Sequence, residues 1–100
     1  MQPTTIALVT IIAEGVLRDR IVEAISALGA RGYTIVEVHG RGARGVSEQF
    51  WYGAQVRIET LVSADTADAI LDHLQANYFA DYSVVAYASD VRVARPEKYV

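Results

Sequence analysis

Apolar and polar positions change period along the chain in the order strand, helix, strand, strand, helix, strand. Thr5 to Ala13 is a continuous apolar run of strand length, rich in Ile, Val and Thr, which predicts a strand buried on both faces. Leu17, Ile21, Ala24, Ile25 and Leu28 then recur at helical spacing, with Arg18, Asp19, Arg20, Glu23 and Ser26 on the other side. Gly29 and Gly32 stop that helix. Tyr33 to His39 alternates as a half-buried strand, Thr34, Val36 and Val38 opposing Tyr33, Ile35, Glu37 and His39. A connection from Gly40 to about Gly53 leads to a third strand, Gln55 to Val62, whose alternation puts Arg57 and Glu59 on one face. Ser63 or Asp65 caps a second helix with Ala67, Ile70, Leu71, Leu74 and Tyr78 on its apolar stripe. An aromatic turn from Asn77 to Tyr82, an apolar strand from Ser83 to Val93 and a polar tail from Arg95 complete the chain.

The order βαββαβ with right-handed crossovers predicts a ferredoxin-like α+β sandwich, a four-stranded antiparallel sheet with two helices on one face. The other sheet face would be bare. With the first and fourth strands read as apolar on both sides, that face predicts association through the sheets.

The 100 residues are 52% apolar, enough for one compact domain with its own core. Absence of Cys excludes disulfides, thiol chemistry and Cys-ligated metals. A net charge of −3 argues against general nucleic-acid binding, and the positive charge is local: Arg41, Arg44 and Arg57 stand around the long connection with only Glu48 and Glu59 against them. That suits a small anion. Thr5 to Ala13 is too short for a membrane span of about 20 residues and lacks the basic lead of a signal peptide, which predicts a cytoplasmic protein.

The chemistry concentrates in the connection, Gly40, Arg41, Gly42, Ala43, Arg44 and Gly45. Glycines let backbone N–H groups approach a phosphate closely, and arginines present planar forks to its oxygens. An ordinary flexible loop with solubilising arginines fits the same residues. Phe50, Trp51 and Tyr52 cannot all face one core, so they pack across an assembly or dock on a regulated partner. His39 and His73, the only histidines, lack a second ligand at metal spacing. Glu14, Glu37 and Glu59 are too scattered for paired acid–base work, so no enzyme is expected.

Three segments together resemble PII signalling proteins: LVTIIAEGVLRDRIVEAISALGARGYT at positions 8 to 34, GRGAR at 40 to 44 and NYFADYSVVAYASDV at 77 to 91. Within that superfamily the chain looks most like the PII-like proteins associated with bicarbonate transport and carboxysomes. The resemblance implies a single domain over residues 1–100, with a regulatory loop at about 41–54 and a tail at 94–100. It also implies a cytoplasmic, carboxysome-associated homotrimer that binds adenine nucleotides between subunits, takes bicarbonate as a second effector, and regulates a bicarbonate transporter or a carboxysome component. By position, Thr34 falls where the family contacts base or ribose. Gly40, Arg41, Gly42, Ala43 and Arg44 fall where its loop stem meets phosphate. Arg92 and Arg95 fall on the last strand, where a neighbouring subunit contributes arginines.

The chain also departs from the family pattern. Positions 77 to 83 lack a glycine- and lysine-rich phosphate loop, Gln55 stands where ordinary members have a lysine, Ser47 replaces an arginine, and the Cys-containing tail is absent. Fewer cations favour ADP or AMP over ATP, with cAMP also compatible. Two rivals share the fold: a trimeric divalent-metal binder of the cation-tolerance type, and a small hydrolase needing an arginine with an asparagine, of which Asn77 is the sole example.

Overall fold

The computed structural model describes residues 4–39 and 55–100. Within them the chain forms β1 (Thr4–Glu14), a 3-10 turn (Gly15–Leu17), α1 (Arg18–Leu28), β2 (Thr34–Val38), β3 (Gln55–Val62), α2 (Ala64–Asn77), β4 (Val85–Val93) and a second 3-10 turn (Pro96–Lys98). The strands make one antiparallel sheet in the order β2-β3-β1-β4. This is the ferredoxin-like arrangement the element order predicts.

Register sorts the side chains between the two faces. Val9 lies opposite Thr60, Ile11 opposite Ile58, and Ile58 in turn opposite Ile35. These residues face the helices and close a core with Leu17, Ile21 and Ile25 from the first helical segment and Ala67, Ile70 and Leu74 from α2. The stripe read at helical spacing is the one buried, because positions three and four apart share a helix face.

The helix ends follow local chemistry. Gly29 ends α1 at φ 125°, a conformation that strains residues bearing a Cβ, and its amide donates to Ser26. Of the two candidate caps for α2, Ser63 takes the position: its hydroxyl accepts from the Thr66 amide at 3.2 Å. Asp65 sits in the first turn, where its charge complements the helix dipole. The aromatic turn is pinned by Tyr78, buried and 5.9 Å from the Tyr82 ring.

The opposite sheet face carries Leu8, Thr10 and Ile12 of β1, Arg57 and Glu59 of β3, Val36 of β2 and Val85 and Tyr87 of β4, and neither helix covers it. Val85 and Tyr87 are about half exposed, at 53% and 52%. Arg57 and Glu59 are neighbours there, with Arg57 Nε 3.6 Å from Glu59 Oε2. That Nε is buried without a hydrogen-bond partner among the described residues.

Two expectations change. β4 is not apolar on both sides: on the helix face it carries Ala86, Ala88, Asp90 and Arg92, and most of the strand is exposed. An edge strand meets a neighbour along one side only, so its inner face needs no unbroken apolar run. The strand also begins at Val85 rather than Ser83, since residues 78–84 are spent on the turn. Among the described residues, no helix is long and apolar enough to cross a membrane.

Candidate functional site

Thr34 opens β2 at the rim of a cavity of about 350 Å³. The register places Thr34 opposite Glu59, so the carboxylate stands beside the threonine at the sheet surface. Leu8 and Leu61 give the cavity its apolar lining, and Arg31, Tyr33, Lys98 and Tyr99 stand in its wall. One acid, two cations, two phenols and two threonine hydroxyls therefore surround a space of small-ligand size. The cations suit an anionic group, while Glu59 and Thr34 can hydrogen-bond neutral donors and acceptors such as those of a base or ribose.

The segment before β2 is held from beneath. Thr60 is 2% exposed, and its hydroxyl donates to the Gly32 carbonyl at 2.6 Å, fixing the backbone two residues before Thr34. A buried hydroxyl needs such a partner, and this one also sets the cavity rim.

Arg92 lies on β4 opposite Thr5, and Arg95 lies beyond the strand, capping the Pro96–Lys98 turn. Both are exposed. β4 is the edge farthest from β2, so within one chain neither arginine lines the Thr34 cavity. The placement of both on the last strand holds for Arg92 alone, because β4 stops at Val93. Gly40, Arg41, Gly42, Ala43 and Arg44 lie outside the described residues, as do the proposed docking aromatics Phe50, Trp51 and Tyr52.

Sequence reasoning missed Arg31, Glu59, Lys98 and Tyr99 as companions of Thr34. Only the pairing of β2 with β3 and the path of the tail bring them together. Alternation puts Glu59 on one face of β3 with Arg57, but only the pairing with β2 makes that the face of Thr34.

A second, more open cavity of about 330 Å³ lies between the helices, lined by Arg20, Glu23, His73 and Tyr78 among others. The Arg20 guanidinium sits 5.4 Å from the Tyr78 ring centre. A hydrogen bond with Tyr82 and the proximity of Tyr78 favour its charged form. Asn77 donates to the His73 carbonyl at 2.8 Å, which commits the sole asparagine to its own helix rather than to an arginine. Among the described residues no three His, Asp or Glu side chains group as metal ligands.

A family model for the nitrogen regulatory protein P-II matches residues 6–98. The chain is similar to a PII-like signalling protein of Thermus thermophilus, with 47% identity, 100% of both chains covered and a TM-score of 0.87. It is also similar to CPII of Thiomonas intermedia, solved with ADP and bicarbonate, with 26% identity over 99% of this chain and 98% of that one and a TM-score of 0.86. CutA of Synechococcus elongatus shares the fold alone, at 12% identity over 99% of this chain and 94% of that one, with a TM-score of 0.72. Matched over nearly all its length and carrying the βαββαβ sandwich with a cavity beside Thr34, the chain belongs to the P-II nitrogen regulatory protein family.

Proposed function

We propose that this chain is a non-catalytic PII-like regulator that binds ADP or AMP at clefts between subunits of a homotrimer, with bicarbonate as second effector. The cavity beside Thr34 carries the reading. It combines a hydroxyl, a carboxylate and two cations, in a chain similar to a protein solved with ADP and bicarbonate. A cavity with so few cations suits a mono- or diphosphate better than a triphosphate, which favours ADP or AMP over ATP and leaves cAMP compatible. The phosphates would extend toward Gly40, Arg41, Gly42, Ala43 and Arg44, and a neighbouring subunit would bring Arg92 and Arg95 from its opposite edge.

Assembly through the bare sheet face is supported by its exposed apolar residues, Val36, Val85 and Tyr87. The loop at about 41–54, with Phe50, Trp51 and Tyr52, would carry the signal to a bicarbonate transporter or a carboxysome component in the cytoplasm.

Linked ordering of the loop stem makes the two ligands cooperative, and linkage requires the effect to be reciprocal. Calorimetric titration of ADP with and without bicarbonate should show nucleotide affinity rising about fivefold or more. Equal affinity in both titrations would remove bicarbonate from the account.

A further inference from the structure

The tail takes a path that no local pattern requires. β4 ends with Val93 opposite Thr4 on the far edge of the sheet, yet Lys98 and Tyr99 line the cavity beside β2. To reach it, residues after Val93 cross the ends of β1 and β3. Pro96 starts a turn closed by the bonds from Lys98 N to Arg95 O at 3.2 Å and from Tyr99 N to Pro96 O at 3.0 Å. Among the described residues one side-chain hydrogen bond ties this turn down: Arg31 Nη1 donates to the Glu97 carbonyl at 3.2 Å, across 66 positions of sequence.

The two ends of that tie differ in rigidity. Arg31 adjoins Gly32, whose carbonyl is held by the buried Thr60 hydroxyl. The tail side is held by an exposed hydrogen bond, and bonds of that kind contribute little net free energy. A segment so weakly held opens at low cost, and a ligand touching it shifts the balance toward the closed form.

We propose that residues 96–100 form a ligand-linked strap, closed by Arg31, that adds Lys98 and Tyr99 to the Thr34 cavity as contacts for a nucleoside phosphate. Lys98 is the sole lysine of the chain, so the closed strap brings the cavity a second cation, whereas the Arg31 guanidinium is engaged with the strap itself. Tyr99 adds an aromatic wall suited to a flat base. Arg31 is a positioning residue: it acts on the ligand through the strap. The ligand part rests on the nucleotide reading above, while the clamp stands on its own geometry.

The test compares wild type, Arg31→Ala, a chain ending at Arg95, and the two changes combined. Hydrogen exchange should be faster at residues 97–100 in Arg31→Ala than in wild type without ligand, with β1 and β3 unchanged, and ADP should slow it in wild type. Apparent affinity scales with the closed fraction, so Arg31→Ala and the truncation should each weaken ADP binding roughly three- to tenfold. In the truncated chain Arg31→Ala should add no further loss.

Unchanged exchange of the tail in Arg31→Ala would overturn the clamp. An Arg31→Ala loss of equal size in the truncated and full chains would show direct ligand contact and overturn the positioning role. Failure of wild type to bind ADP at all would remove the nucleotide reading and the linkage together, and the exchange comparison would still decide the clamp.

Discussion

Replacing Val85 and Tyr87 together with Asp is expected to convert the proposed trimer to single chains. Both residues are about half exposed in the chain, on the sheet face that neither helix covers. In the isolated chain the change touches surface positions, where substitutions usually stay within about 0.5 kcal/mol each. In the proposed assembly it would bury new carboxylates against Ile12, Thr10 and their copies, and an unpaired buried charge costs several kcal/mol. The large effect therefore falls on association and spares the fold. Sedimentation should give about three times the 10.9 kDa chain mass for wild type and the single mass for the variant. A variant that keeps the wild-type mass would move the interface off this face.

The second large effect belongs to the core. Ile58 is fully buried between Ile11 on β1 and Ile35 on β2, beneath both helices. Ile58→Ala removes packed methyl and methylene groups at the sheet centre, where backbone on both sides prevents collapse into the space. A loss of about 2–5 kcal/mol is expected, a large share of the roughly 5–15 kcal/mol typical of a domain. Ile58→Val should lose about 0.5–1.5 kcal/mol. Denaturant midpoints must be compared at one protein concentration, because association adds to apparent stability. A loss below about 1 kcal/mol for Ile58→Ala would mean that this centre repacks.

Where periodicity was strict, the fold was legible. β3 spans Gln55–Val62 as its alternation implies, since a two-residue period over eight residues admits one reading. The apolar stripes of both helices gave the core except at Ala24, which lines the open cavity while Val22 packs on the core, and Tyr33 to His39 gave β2 within one residue at each end. β4 was harder, because small residues such as Ala86 and Ala88 look apolar without saying which face is covered.

The site was less legible than the fold. Thr34 was placed by resemblance, but its neighbours depend on contacts between distant segments. The Thr34–Glu59 pairing follows from sheet register, and the Arg31–Glu97 bond from the route of the tail. Neither leaves a local pattern. The tail reads from sequence only as polar, yet its Lys98 and Tyr99 line the cavity.

The metal-binding rival shares this sandwich, as the likeness to CutA shows for the fold alone. What separates the two readings is the ligand. The most direct measurement is calorimetric titration of ADP into wild type and into Arg44→Ala, with AMP, ATP and cAMP alongside. The account predicts one ADP or AMP per chain, bound more tightly than ATP, and at least a tenfold loss in Arg44→Ala. No binding of any of the four nucleotides to wild type would contradict it, reducing the kinship with PII regulators to the fold.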